Sequence, residues 1–507
     1  MKFRLVTLAA MLATGSAYAL TPAQIEADRA NGTLKEVVIH GGSAQAPLFG
    51  AYMASLCNTD MDTYFNSGGS GTGKDHRAYA CTLKKAIPGS GGWAAGTPVL
   101  LFKRDLGGSI YGVNPIALQV KENTMTIDTS GGNCVSTGQQ ASATVASYTC
   151  ANIGLRQAVA GISDVEPAVF NASMNVGGTK TLFNLPSGND DNGTAWAALT
   201  SKEVSGMDTA TANQTIFGVA VSLPLRNAMQ AAQGLNVGSD AAADQPSMPR
   251  AFYAAGVSGF VQAGRPTFAG WDAITGVPAD NAKQVNICRR ANGSGTQASS
   301  NLLFLKAGTI DATSAGGLFP LEGNGVGIAL SGAPIAVVEN SSTGAAITCL
   351  TTASGLGAYA MGIISFENDP GSATWRFVKL DGAAPGQALA RTGGYPYVYS
   401  ATVQWKAKAP GNPDQSTLAF LKNLRTNLGS PTGISALTDP NAKKGVLAPP
   451  SSYSGTCAAQ APGSINALYG SCVERLDLGS KSNSGKLLYG VSKGYATNSS
   501  QDLHTVK

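Results

Sequence analysis

Charge is what this sequence has least of. Asp, Glu, Lys and Arg make up only 13% of its 507 residues, and histidine occurs three times, at His40, His76 and His504. The formal net charge of +5 is small and dispersed, which excludes the basic stripe that nucleic acid or an anionic membrane surface would require. Scattered histidines, with no CxxC or HxxxH spacing, leave no local pattern for a metal site, so neither a metal nor another cofactor is expected. Uninterrupted apolar stretches of about eighteen residues are missing too, which argues against stable membrane insertion through a spanning helix. What replaces charge is glycine, at 63 positions, beside a hydrophobic share of 43% that can fill a core and argues against disorder. The surface must therefore be loop-rich and covered by Ser, Thr and Asn.

The chain opens with Lys2 and Arg4 ahead of an apolar run from Leu5 to Ala13 and a small-residue site, Ala17-Tyr18-Ala19. That order is a secretory signal, with cleavage expected after Ala19 and the mature protein periplasmic or secreted. Loss of Lys2 and Arg4 leaves 35 − 2 − 30 = +3. All eight cysteines lie beyond the signal, and an even number in an exported chain reads as a disulfide framework. Spacing leaves the connectivity open. Sequential pairing is the expectation, because Cys134 with Cys150 and Cys457 with Cys472 would close short loops worth about 3 kcal/mol each.

Short apolar runs alternate with helical patterns. Glu36 to Ile39 reads as a strand, followed by a Gly41-Gly42 turn and a helix from Gln45 to Cys57. The order recurs at Val285 to Cys288, a Gly-rich turn, and a helix from about Gly295 to Leu305. Such units imply an α/β architecture, with ligands beyond the carboxyl ends of the strands. Residues 121–150, 180–214 and the tail after Pro449 read as loop insertions.

The segment "CRRANGSGTQASSNLLF", residues 288–304, carries the strongest chemical signal. Ser294 and Gln297 have capping-box spacing, so a helix should start at Gly295 with free backbone N–H groups. Such a start favours an anion, and the Ser294 and Thr296 hydroxyls add donors. Arg290, at the strand end, supplies a planar fork matched to two oxygens of a tetrahedral oxyanion. The same local pattern also describes an ordinary capped helix with solvated arginines. Two other motifs fail on chemistry. "GGSGTGKD" at 68–75 puts Asp75 where a nucleotide-binding loop needs Ser or Thr for Mg²⁺. "GVSKG" at 490–494, with Asp502 and His504, has nucleophile spacing but no following helix.

Arg-Arg-Ala-Asn-Gly-Ser-Gly-Thr after a short strand resembles the phosphate-binding loop of periplasmic phosphate-binding proteins, where Asp stands in place of Asn292. "GGSAQAPLF" at 41–49 is similar to that family's first loop. "GLRQAVAGISDVEP" at 154–167 resembles its helix and Ser-Asp turn with a ligand-facing aspartate. "GNGVG" at 323–327, "YAMGIISFEN" at 359–368 and "GGYPYVYSATVQW" at 393–405 resemble later segments. The resemblance implies the two-lobed fold of type II periplasmic binding proteins and the absence of enzymatic activity. By residue, it implies a bidentate contact from Arg290, donors at Ser294, Gly295 and Thr296 in one lobe and at Ser43 and Ala44 in the other, and Asp164 as acceptor. A carboxylate acceptor would favour hydrogen phosphate over sulfate, which would leave two acceptors face to face. Asn292 removes a negative charge beside the arginines, and Ala44 replaces a bulkier residue. The family's middle-loop donor has no single counterpart; Ser70 and Asn152 are the candidates.

The implied organisation is a signal at 1–19, the first part of lobe one at 20–215 with an insertion at about 68–150, lobe two at 216–384, and a return segment with a Cys-containing tail at 385–507. The implied ligand is phosphate or a similar oxyanion, and the implied partner an inner-membrane ABC permease. A secreted surface or matrix protein on the same scaffold, with a drifted site, is the alternative.

Overall fold

A computed structural model describes residues 20–66, 75–139, 146–176, 190–259, 261, 270–305, 320–330, 332–391, 393–437 and 440–448. The signal segment, Ser70, the glycines of the 68–75 motif, the 490–494 motif and the Cys457/Cys472 pair lie outside these residues.

In chain order the framework consists of β1 (Lys35–Gly41), α1 (Ala46–Leu56), β2 (Asp62–Asn66), β3 (His76–Thr82), β4 (Pro98–Arg104), β5 (Cys134–Gln139), β6 (Ala146–Cys150), β7 (Ala160–Ser163) and β8 (Met207–Ser222). It continues with β9 (Val285–Arg290), α2 (Gly295–Leu305), β10 (Ile335–Asn340), α3 (Thr343–Gly355), β11 (Ala360–Ser365), β12 (Val398–Lys406) and α4 (Gln415–Leu428). The strands lie in the order β10-β9-β11-β8-β12-β7-β1-β4-β3-β2-β6-β5, and two short strands, Trp375–Phe377 and Val446–Leu447, also pair with β8. β1 is parallel to β4 and β7, and β9 is parallel to β10 and β11, whereas β8 runs antiparallel to both β11 and β12. This is an α/β fold on a mixed sheet.

One strand belongs to both halves of that sheet. The 16 residues of β8 pair with β12 from Met207 to Ile216 and with β11 from Phe217 to Val221. On the first side, Leu48, Phe49 and Met53 of α1 pack with Phe420, Leu421 and Leu424 of α4 over β1 and β4. On the second, Ala346, Leu350 and Ala353 of α3 pack on Ala220, Ala360 and Ile364. The resulting two lobes each have helices seated on their own half-sheet.

Several sequence readings need correction. Residues 121–150 are largely strand: Glu122–Met125 pairs with Ile153–Arg156, and β5 pairs with β6 with Cys134 directly opposite Cys150. The Thr- and Ser-rich composition that suggested loop instead supplies β-branched residues to sheet edges. Residues 207–214, also read as loop, are the first half of β8. No helix forms at 154–159. Ile153–Arg156 and Ala160–Ser163 are strands, and the latter is buried throughout between β12 and β1. Within the stretch taken as an insertion, β4 lies beside β1 with six paired positions. Disulfides join Cys57 to Cys81, Cys134 to Cys150 and Cys288 to Cys349, as sequential pairing predicts.

Candidate functional site

Most polar groups of the site lie at or just beyond the carboxyl end of a strand in one of the two parallel sets; Arg77 comes instead from the amino end of β3, which runs antiparallel to β4. Ser43 follows β1, Asp105 and Ser109 follow β4, and Asp164 follows β7 in the first lobe. In the second, Arg290 ends β9, Ser341 and Ser342 follow β10, and Glu367 follows β11. Strand direction alone therefore gathers them on one side of the sheet.

They form two adjoining groups. In the first, the start of α2 presses against lobe one. A Cβ placed on Gly295 would collide with Ser109 Oγ and lie 2.8 Å from Asp164 Cβ, and one on Gly42 would lie 2.9 Å from Asp164 Cγ. Asp164 is thus wedged between two glycines and is only 3% exposed. Ser109 Oγ accepts from the Asp164 N–H at 2.9 Å and donates to Oδ2 at 3.3 Å, while the buried Oδ1 has no hydrogen-bond donor among the described residues. Burial pushes the Asp164 carboxyl up, against the opposing pull of Lys103 and Arg290. Ser294 and Thr296 are buried at the start of α2, and Ala44 is buried within the first loop. Two further hydrogen bonds fasten the turn before α2, from the Ile110 N–H to Gly293 O at 2.9 Å and from the Gly293 N–H to Asn175 O at 2.8 Å.

The capping box does not form as the spacing suggested. Gln297 Nε2 donates forward to Asn301 Oδ1 at 2.9 Å, and the Ser294 N–H donates to Ala291 O at 3.2 Å. Asn301 in turn donates to Asn175 Oδ1 at 2.8 Å, so the amide is drawn into a buried chain that spans the lobes. Asn292 accepts from Arg289, not Arg290.

The second group surrounds a cavity of about 940 Å³ between the lobes. Ser43, Arg77 and Asp105 face it from one side, Arg290 and the start of α3 from the other, and Glu367 and Asn368 stand where β11 leaves the second half-sheet. Arg290 is 5% exposed. Its Nε donates to Asn340 O at 3.2 Å, Nη1 to Thr343 Oγ1 at 2.8 Å and Nη2 to Ser341 O at 3.1 Å. These bonds use three of the five guanidinium N–H groups. Arg290 forms no ion pair among the described residues, and burial lowers it to about 10, so it remains charged at neutral pH. Glu367 carries a buried Oε2 without a partner among the described residues, and burial raises it to about 7. By contrast, Lys103 pairs with Asp105 at 2.6 Å and donates to Gly41 O at 2.8 Å, which fixes the first loop from below.

Of the residues singled out from sequence, Ser43 and Arg290 face the cavity. Asp164, Ser294, Gly295 and Thr296 belong to the adjoining contact. Asn152 is exposed, and its N–H donates to Asn133 Oδ1 at 2.7 Å. Sequence reasoning missed Ser109. Its signal was legible in "GGSIYG" at 107–112, a Gly-Gly-Ser turn after a strand. Glu367 and Asn368 also escaped, because they belong to a segment read as structural. Among the described residues, no cluster of His, Cys, Asp and Glu is placed to hold a metal ion, and no helix is long and apolar enough to cross a membrane.

No family model matches the sequence, and no curated protein does. Solved structures with a loose likeness include a protein described as a candidate phosphate ABC transporter substrate-binding protein, with bound phosphate, from Clostridium perfringens. It is 11% identical, with a TM-score of 0.38, over 81% of this chain and 98% of that one. PstS from Borrelia burgdorferi is 11% identical, with a TM-score of 0.32, over 79% and 95%. An ABC-type phosphate transport receptor from Vibrio cholerae is 11% identical, with a TM-score of 0.34, over 76% and 94%. The α/β assignment of this chain stands on its own strand order.

Proposed function

We propose that this is an exported solute-binding protein that holds an oxyanion, inorganic phosphate foremost, between its lobes by charge-assisted hydrogen bonds. The observation that carries the reading is Arg290: a buried cation without an ion-pair partner among the described residues, facing a cavity with two N–H groups still to donate. A buried charge of this kind costs several kcal/mol unless an anion compensates it. Ser43 would donate from the opposite lobe, and the positive end of α3 adds to the field. Asp164 lies in the adjoining contact and not on the cavity wall; in its ionised form it would accept the proton of a hydrogen phosphate drawn in beside Ser43 and Gly295, and would oppose sulfate. No bond is made or broken in this scheme. If the protein serves uptake, an inner-membrane ABC permease would receive the ligand.

Calorimetry with phosphate, sulfate and arsenate tests the reading. Wild type should bind phosphate, Arg290→Gln should lose at least tenfold in affinity, and Asp164→Ala should narrow the preference over sulfate. Absence of phosphate binding at millimolar ligand would refute it. The packing of Asp164 and Ser109 against Gly295 favours a second reading, in which that turn has become a contact between lobes and the scaffold serves as a secreted surface or matrix protein.

A further inference from the structure

The cavity beside Arg290 is far larger than a bare tetrahedral ion. At about 940 Å³ it lies near the top of the range of roughly 300–1,000 Å³ that encloses ligands of drug or cofactor size. Its long wall is one face of α3: Ala345, Thr348 and Thr352 recur at helical spacing, Thr343 starts the helix and Leu356 follows it, and the 13 residues of the helix extend roughly 20 Å. Ile328 and Val338 extend this apolar face within the same lobe, and Arg77, Asp105 and Leu106 line the cavity from the other lobe. One end of this groove is cationic, at Arg290 and the α3 start, and the body is aliphatic with interspersed hydroxyls. None of its described lining residues is aromatic. A nucleobase or sugar ring therefore meets no stacking platform, whereas an alkyl chain meets Ile328, Val338, Ile347 and Leu356.

We infer that the ligand is an aliphatic phosphomonoester, with its phosphoryl group at Arg290 and its carbon chain along α3. The inference rests on the preceding reading, that Arg290 holds an anion, and adds the class of molecule attached to it. Three carboxylates line the cavity, Asp75, Asp105 and Glu367, and Asp75 has an interaction partner of its own. Asp105 is engaged by Lys103 and Arg77, and Glu367, raised to about 7, carries less negative charge at neutral pH than an ordinary carboxylate.

Titration calorimetry with inorganic phosphate, methyl phosphate, butyl phosphate and AMP tests it. Each buried methylene contributes about fourfold in affinity, so butyl phosphate should bind at least tenfold more tightly than methyl phosphate. Thr348→Trp, at an exposed position facing the groove, should abolish that gain and leave inorganic phosphate within twofold of wild type. Ile347→Asn should have the same effect by removing apolar contact. Equal affinity for methyl and butyl phosphate, with inorganic phosphate still bound, overturns the ester assignment and leaves the oxyanion reading standing. AMP as tight as butyl phosphate overturns the aliphatic class. No binding of any of the four overturns both. Sedimentation with phosphatidylcholine vesicles containing phosphatidic acid separates the sources. Protein that pellets takes its ester from a bilayer, and protein that remains in the supernatant while binding butyl phosphate takes it from solution.

Discussion

Arg290 and Glu367 face one cavity with opposite formal charges, and burial pushes each toward its neutral form. The effect matters for Arg290 only above the physiological range, but for Glu367 it falls within it. Its folded-state value of about 7 stands above the ordinary 4.5. The native protein therefore retains a proton that the unfolded chain has released between those values, and stability falls as pH rises through that window. Thermal melts from pH 4 to 8 should show this decline in wild type and a flatter profile in Glu367→Gln; identical profiles would show that Glu367 titrates normally. Both ends of this pair lie in segments whose sequence reads differently in isolation. Arg290 was legible because a Gly-Ser-Gly-Thr turn follows it. Glu367 was not, because a single carboxylate after an apolar strand looks like any surface residue until burial of its Oε2 is known.

At the level of elements, the sequence disclosed those with strong periodicity and short apolar runs. β1, α1, β9 and α2 fall within a residue or two of where pattern placed them. Elements built from small and β-branched polar residues were invisible. β5, β6 and the start of β8 are Ser-, Thr- and Ala-rich, so their strand character comes from pairing with neighbours that are distant in sequence. The Gly-Gly-Ser turn at Ser109 was overlooked for a related reason: its closeness to Asp164 is created by β4 and β7 flanking β1, a relation of topology that spacing does not express. The Cys288–Cys349 bridge is the element-scale device nearest the cavity. It ties β9, which carries Arg290, to α3, which supplies Thr343, across 61 positions, against 16 for Cys134–Cys150. The chain-entropy model gives about 4 kcal/mol for the longer loop and about 3 for the shorter. Replacement of both cysteines by Ala should therefore cost more stability at the 288/349 pair, and only there should it weaken anion binding. Chemical denaturation with calorimetry measures both; equal losses of binding from the two double variants would refute a local role.

For the whole molecule, the decisive feature is that its lobes share backbone. β8 supplies Met207 to Ile216 to one half-sheet and Phe217 to Val221 to the other, and Gln45 and Thr215 hydrogen-bond at 2.8 Å beside the changeover. Two units coupled through one continuous strand and buried cross-lobe amides should unfold together. Scanning calorimetry should show a single transition whose calorimetric and van't Hoff enthalpies agree; two resolved transitions would mean that the lobes are independent. The same strand also governs what happens when the chain is cut. A fragment ending at Ser222 would retain Ile216-Phe217-Gly218-Val219-Ala220-Val221, which is buried throughout in the intact fold, without β11 to cover it. Six uncharged, proline-free residues on an open edge, four of them β-prone (Ile216, Phe217, Val219 and Val221), are a nucleus for amyloid-like aggregation. Proteolysis between the lobes would thus turn a folded chain into a source of fibres.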